Sequence, residues 1–279
     1  MRNFRRVGLA FLISALPLSL AASAHAETAS IPAAKPPACK RDAFRLALDV
    51  GHTAKQPGAT SARGAKEYDF NLALAKVIER KLTGAGFSKT ALLVTDGPMY
   101  RGLAERVDKA NRLRADLFLS IHHDSVPDSF LEKWKFEGEE RTYSDRFKGH
   151  SLFISNDNPD RKASFQFAQL LGRQLRDRGL QYARQYTEKF MGHKRRIIVD
   201  AETGVYRYDQ LIVLRTTHMP AVLLEAGSII HRDEELAMAT PERQALISAA
   251  VLDAVEAFCA ERPPHDRTVA AEKPPARRR

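Results

Sequence analysis

Three apolar stretches of this sequence run into a side chain that can bind a metal or carry a proton. LALDVGH delivers His52, LFLSIHH delivers His122 and His123, and AVLLEAG delivers Glu225. A fourth such group, Glu67, opens the apolar-periodic run EYDFNLALAKVI after a loop of Gly, Ala, Ser and Pro. Glu67 lies three residues before Phe70 and seven before Leu74, so it shares the core-facing side of its helix. A carboxylate in the first turn of that side points toward the ends of the strands rather than toward water. Each residue alone has an ordinary explanation. A strand-end histidine is commonly structural, and a first-turn glutamate complements the helix dipole. Taken together, two imidazoles and a carboxylate are the donor set of a catalytic zinc site, with three protein ligands and a fourth position kept for water. On this reading His52, Glu67 and His122 hold one Zn²⁺ per chain.

Glu225 needs its own account, because an apolar strand that runs into a glutamate buries a charge that must be compensated. One account is a salt bridge, for example to Arg215 in the nearby stretch LIVLRTT. The other is a general base working beside a metal, with its pKa set by the site. The residues alone leave both open.

The elements that must position these groups alternate along the chain. Strands are expected at 44–50, 90–95, 116–122, 150–155 and 220–227, and helices at 67–87, 102–115, 163–179 and 240–259. The stretch 211–217 fits either a strand or a short helix. In the first helix Phe70, Leu74, Val77 and Ile78 mark one buried face, and Thr240 with Pro241 forms the N-terminus of the last. Alternating strand and helix predicts a single α/β layered domain with a mostly parallel sheet. In such sheets ligands gather at the carboxyl ends of the strands, where the four candidates lie.

The motifs LALDVGH, KEYDFNLALAKVI, LFLSIHHDS and VLRTTHMPAVLLEAGSIIHRDEE, in that order, resemble the zinc-dependent N-acetylmuramoyl-L-alanine amidases, bacterial cell-wall hydrolases. The resemblance covers most of residues 43–260 and implies a sheet of about six strands flanked by helices. It implies His52, Glu67 and His122 as zinc ligands, with His122 preferred over His123 because the family's ligand directly follows the Ser120-Ile121 pair. It implies Glu225 as the catalytic carboxylate, and metal-assisted hydrolysis of the amide between N-acetylmuramic acid and L-alanine in peptidoglycan, in wall remodelling or daughter-cell separation. A zinc carboxypeptidase or peptidase of the wall, and a non-catalytic wall-binding protein, are the competing readings.

The chain departs from the family pattern in two insert-like segments, 126–150 and 181–209. The first holds the single tryptophan, Trp134, and reads either as a surface loop or as a lid of the substrate groove. The second carries the run Lys194-Arg195-Arg196, which is either a solvated face or a contact for stem-peptide carboxylates. Trp134 and Arg215 are the substrate-binding candidates. Some relatives insert an inhibitory helix after the strand matching SLFIS, released by an activator protein; here that strand passes into its helix through a short link. An activator is nevertheless retained as a partner to be considered.

Residues 1–26 read as a secretory signal peptide: Arg2, Arg5 and Arg6, then the apolar Val7–Leu20, then Ala24-His25-Ala26 as a cleavage site. The expected destination is export to the periplasm, with no transmembrane segment. Residues 27–42 read as an Ala- and Pro-rich linker, 43–260 as the catalytic domain, and 261–279 as a basic, Pro-rich disordered tail. The formal net charge of +10 suits anionic envelope polymers, and nucleic acid is the wrong partner for that compartment. Cys39 and Cys259 bracket the domain, and in an oxidising compartment an even pair invites a disulfide.

Overall fold

The computed structural model describes residues 39–262. The expected signal peptide, almost all of the expected linker and the expected tail beyond 262 lie outside the described residues.

Three near-continuous apolar runs form the centre of the sheet: β1 (Arg45–Val50), β3 (Leu117–Asp124) and β9 (Ala221–Ser228). All three are buried on both faces, which is why their sequences read apolar without alternation. With β2 (Lys89–Leu93), β6 (Ser151–Ile154), β7 (Ile197–Asp200) and β8 (Val205–Arg207) they make a seven-stranded sheet in the order β2-β1-β3-β9-β6-β8-β7. The pairs β1–β2, β1–β3, β3–β9 and β6–β8 are parallel, while β6–β9 and β7–β8 are antiparallel. Five of the seven are the strands expected at 44–50, 90–95, 116–122, 150–155 and 220–227; the other two, β7 and β8, come from the segment 181–209, which joins the sheet instead of standing apart as an insert.

One face of the sheet packs on α1 (Glu67–Gly84), α3 (Arg161–Asp177) and α6 (Pro241–Glu261), around Leu48, Leu119, Val222, Leu74, Phe167 and Phe258. The opposite face carries Ala47, Phe118, Leu223 and Phe153, covered by α2 (Met99–Leu113) and the short α4 (Ile212–Arg215). The ambiguous stretch 211–217 is thus helical. A further short helix, α5 (Arg232–Ala239), follows β9. The side chain of Thr240 accepts a hydrogen bond from the Arg243 backbone N–H, capping α6 at the expected place. None of the described helices is long and apolar enough to cross a membrane.

The segment 126–150 contains a β-hairpin, β4 (Glu132–Phe136) and β5 (Glu139–Tyr143), which forms a separate two-stranded sheet. Its two-residue turn, Glu137-Gly138, has φ of 50° and 84°, the positive values that a primed hairpin turn requires. Trp134 and Phe136 on one strand, with Arg141 and Tyr143 on the other, form its inward side. At the opposite end of the domain, Cys39 and Cys259 are joined by a disulfide with their Cα atoms 5.1 Å apart. The link ties the segment leading into β1 to the last turn of α6.

Candidate metal centre

The last residues of β1 and β3 bring the candidate ligands to one edge of the sheet. Asp49 pairs with Ser120 and Val50 with Ile121, so His52 and His122 follow directly from adjacent strands. Their rings meet edge to face with centroids 4.9 Å apart. Glu67, the first residue of α1, reaches between them. Its Oε2 is 3.0 Å from His52 Nε2, and its Oε1 is 3.0 Å from His122 Nδ1. One ligand atom from each residue lies within 4.8 Å of the others, so the trio can hold one metal ion. The two imidazoles and one carboxylate match the donors that zinc takes in catalytic sites.

The backbone leaves room for this cluster at two glycines. A Cβ on Gly51 would lie 2.4 Å from the His122 ring, and one on Gly58 would lie 2.3 Å from Glu67 Oε2. Gly58 also has φ of 79°, a region glycine enters without a steric cost. The glutamate is further fixed by the Ala59 N–H, which donates to Oε2 at 3.0 Å, and by Asn71 Nδ2, which donates to Oε1 at 3.3 Å. Asn71 also donates to the Gly51 carbonyl at 3.2 Å. Burial works to raise the Glu67 carboxyl, but hydrogen bonds from His122 and His52 and the charges of both imidazoles outweigh it and hold the group below the usual carboxylate range.

His123 lies on the other face of β3. Its Nδ1 is 2.8 Å from Asn71 Oδ1, and Phe70 packs against the ring at 5.5 Å. Burial pulls its pKa down to about 3, so it is a neutral imidazole inside the α1 layer. Asn71 links the two sides: one end orients Glu67, the other is held by His123.

Glu225 stands opposite His122 in the β3–β9 register, with its side chain on the same face. Its Oε2 is buried without a hydrogen-bond partner among the described residues. Burial, then the nearby charges of Asp124 and Glu67, push its pKa well above the usual value, with Lys194 acting the other way. The salt bridge to Arg215 does not form. Arg215 is exposed at the end of α4, and the next residue, Thr216, accepts a hydrogen bond from Asn111 at the end of α2. That is the edge where β3 and β9 begin, away from the candidate ligands. Arg215 is also absent from the residues lining the cavity of about 170 Å³ beside His52 and His122, whose walls include Leu103, Leu211, Val213 and Leu223.

Trp134 contacts the loop before α1. Its Nε1 donates to the Ala62 carbonyl at 3.0 Å, and the guanidinium groups of Arg63 and Arg232 lie 5.4 Å and 5.1 Å from its ring. The hairpin therefore seats on the loop that connects β1 to α1 and presents Glu67. The segment after α3 also reaches the site. Tyr186 donates its hydroxyl proton to Asp124 Oδ2 at 2.6 Å, and Asp124 is the residue of β3 that follows His123. Burial raises the Asp124 carboxyl to about 6, against the hydrogen bonds from Tyr186 and the Ser125 N–H. Asn71, Asp124 and Tyr186 are site residues that sequence reasoning missed. Asn71 had a signal, since it lies four residues after Glu67 on the same helical face; Tyr186 had none.

The family model described as N-acetylmuramoyl-L-alanine amidase matches residues 46–257. The chain belongs to that family. The endolysin of Bacillus phage SPP1 is 29% identical to this amidase family member over 188 residues, covering 67% of the chain and 55% of the endolysin. The chain thus spans about half the length of that relative. The solved catalytic domain of CwlV, an N-acetylmuramoyl-L-alanine amidase from Bacillus (Paenibacillus) polymyxa var. colistinus, is 25% identical with a TM-score of 0.56, covering 78% of this chain and 99% of that one. The CwlD amidase from Clostridioides difficile, solved in complex with the GerS lipoprotein, shares the fold at 18% identity and a TM-score of 0.53, covering 77% of this chain and 98% of that one.

Proposed function

We propose that this chain hydrolyses the amide bond between N-acetylmuramic acid and L-alanine in peptidoglycan, with His52, Glu67 and His122 holding Zn²⁺ and Glu225 serving as the catalytic carboxylate. The observation that carries the reading is the meeting of two imidazoles and a carboxylate with an unpaired glutamate oxygen opposite one of the ligands. Zinc, when bound, supplies Lewis-acid polarisation of a carbonyl and acidifies a water.

The chain's own residues supply the rest. Glu67 and the two histidines fix the cation at the ends of β1 and β3. Glu225 accepts the proton of the attacking water and delivers it to the leaving nitrogen of L-alanine, so a single carboxylate acts first as base and then as acid. The same oxygen pair must be ionised to take the proton and protonated to deliver it, so the group passes between both states within one turnover. Tyr186 fixes Asp124, whose charge is one of those that raise Glu225. The half-buried Lys194 tempers the same group. The apolar cavity beside the histidines suits the small methyl-bearing groups that flank the scissile amide.

We further propose export to the periplasm by the signal peptide 1–26, a catalytic domain over 43–260, and action on the wall in remodelling or cell separation. An accessory protein is a proposed partner; the complex formed by the CwlD amidase supports its inclusion. The test is digestion of purified peptidoglycan by the full chain, with and without a chelator, followed by mass analysis of the products. Release of intact stem peptides beginning with L-alanine, abolished by chelator and restored by zinc, is the expected result. Release of a terminal D-amino acid instead would establish a carboxypeptidase, and no chelator-sensitive release would refute the hydrolase reading.

A further inference from the structure

Beneath the two histidines lies a buried ion pair that holds no metal ligand among its members. Arg106 of α2 is 3% exposed and Asp49 of β1 is fully buried. Burying two charges is costly unless geometry and further hydrogen bonds compensate, so such a pair calls for a reason. Arg106 Nε lies 3.4 Å from Asp49 Oδ1 and donates to Thr95 Oγ1 at 2.8 Å. Its terminal amino group donates to the backbone carbonyl of His52. Asp49 Oδ2 in turn accepts a hydrogen bond from Ser120 Oγ at 2.6 Å.

Each end of this chain of contacts stops at the root of a candidate ligand. Asp49 lies three residues before His52, and Ser120 lies two before His122 on the same face of β3. His52 also has φ of 65°, in the left-handed region that residues other than glycine rarely occupy. That conformation ends β1 and turns the imidazole toward Glu67, and it persists only where its surroundings hold it. The hydrogen bond from Arg106 to the His52 carbonyl is such a hold.

We propose that Arg106, through the His52 carbonyl and the Asp49–Ser120 link, is a positioning residue that sets the spacing of the two metal-binding histidines before the ion arrives. The inference rests on the metal-site reading given under Proposed function. It requires the planar fork of arginine, which can serve Asp49 and Thr95 with one edge and the carbonyl with another; a lysine ammonium keeps the charge but not the fork.

The experiment is zinc affinity of the purified full chain by competition with a chromophoric chelator, with the thermal midpoint measured in EDTA. Arg106→Lys is expected to fold and to bind zinc about tenfold or more weakly, the scale at which partners that orient metal ligands act. Phe167→Leu, a fully buried change in the opposite layer, is the control: it lowers the midpoint and leaves zinc affinity unchanged. Arg106→Lys with wild-type affinity overturns the inference. So does a loss of affinity in Phe167→Leu matching that of Arg106→Lys, which would make the effect one of general stability. If Arg106→Lys gives no cooperative transition, Ser120→Ala decides, because it keeps both charges and cuts only the link to β3. About threefold weaker zinc binding supports the inference and unchanged binding overturns it, the scale being that of one hydrogen bond. A wild-type chain that binds no zinc overturns both this inference and the function it rests on; tight wild-type binding with an unaffected Arg106→Lys overturns this one alone.

Discussion

Removing the disulfide should cost much stability and no catalysis. The bridge between Cys39 and Cys259 closes a loop with a sequence separation of 220. A cross-link of that span withdraws about 5 kcal/mol of conformational freedom from the unfolded chain at 25 °C, on the loop-entropy scale. Residual structure in the denatured state makes that an upper figure. Cys39→Ser with Cys259→Ala leaves no stray thiol, and the truncation at the buried Cys259 adds only a small packing loss. For a domain of this size the thermal midpoint should fall by roughly 10 °C. The effect on the site should be nil. The bridge sits before β1, whose six residues span about 20 Å, and His52 lies beyond the far end. The assay is urea denaturation of the double variant and the parent, followed by circular dichroism, with zinc affinity and turnover measured on both at 25 °C. A stability difference below about 1 kcal/mol would refute the estimate, which rests on loop closure. Two alkylatable thiols in the unreduced parent would remove the premise. A loss of zinc affinity in the folded variant would show that the two ends of the sheet are coupled despite the length of β1 between them.

The other predictions concern the site itself. Glu225→Ala should retain zinc and lose hydrolysis, while His52→Ala should lose both; metal content and turnover on peptidoglycan check the pair, and near-normal turnover in Glu225→Ala would remove the proton-transfer role. Trp134→Ala should loosen the hairpin from the loop that carries Glu67, detectable as faster amide exchange over 132–143, and should change turnover on wall material without abolishing zinc binding. Deleting 128–147 should do the same more severely, and unchanged kinetics would show that the hairpin takes no part in substrate handling.

What was readable beforehand follows from how the residues are used. β1, β3 and β9 are apolar on both faces, so their ends, and the polar groups there, stand out in the chain. α1 and α6 show their buried faces by spacing and their starts by Glu67 and Thr240. The hairpin was hidden because EKWKF and EERTY are charged on one side and contribute only Trp134, Phe136, Arg141 and Tyr143 to the other. β7 and β8, with four and three residues, lie in a stretch of mixed charged, polar and aromatic side chains, and only the pairing of β8 with β6 and of β7 with β8 reveals them. Arg106 was legible in principle: it interrupts the apolar stripe of Leu103, Val107 and Ala110 on α2, where a charge needs a partner. Asp49 gave the matching hint, as the one acid within LALDV. Tyr186 could not be anticipated, since its partner Asp124 lies far away in the chain and no periodicity connects them.

The neighbouring imidazoles of β3 carry a last consequence. If the strand threaded one position out of phase, a histidine would still arrive beside Glu67, so the chemistry of the cluster would not detect the mistake. The rest of the strand would. Leu117, Leu119 and Ile121 would trade layers with Phe118 and Ser120, stranding a hydroxyl among the α1 and α6 side chains and breaking its tie to Asp49. Which imidazole faces Glu67 is thus policed by the aliphatic residues that precede the pair.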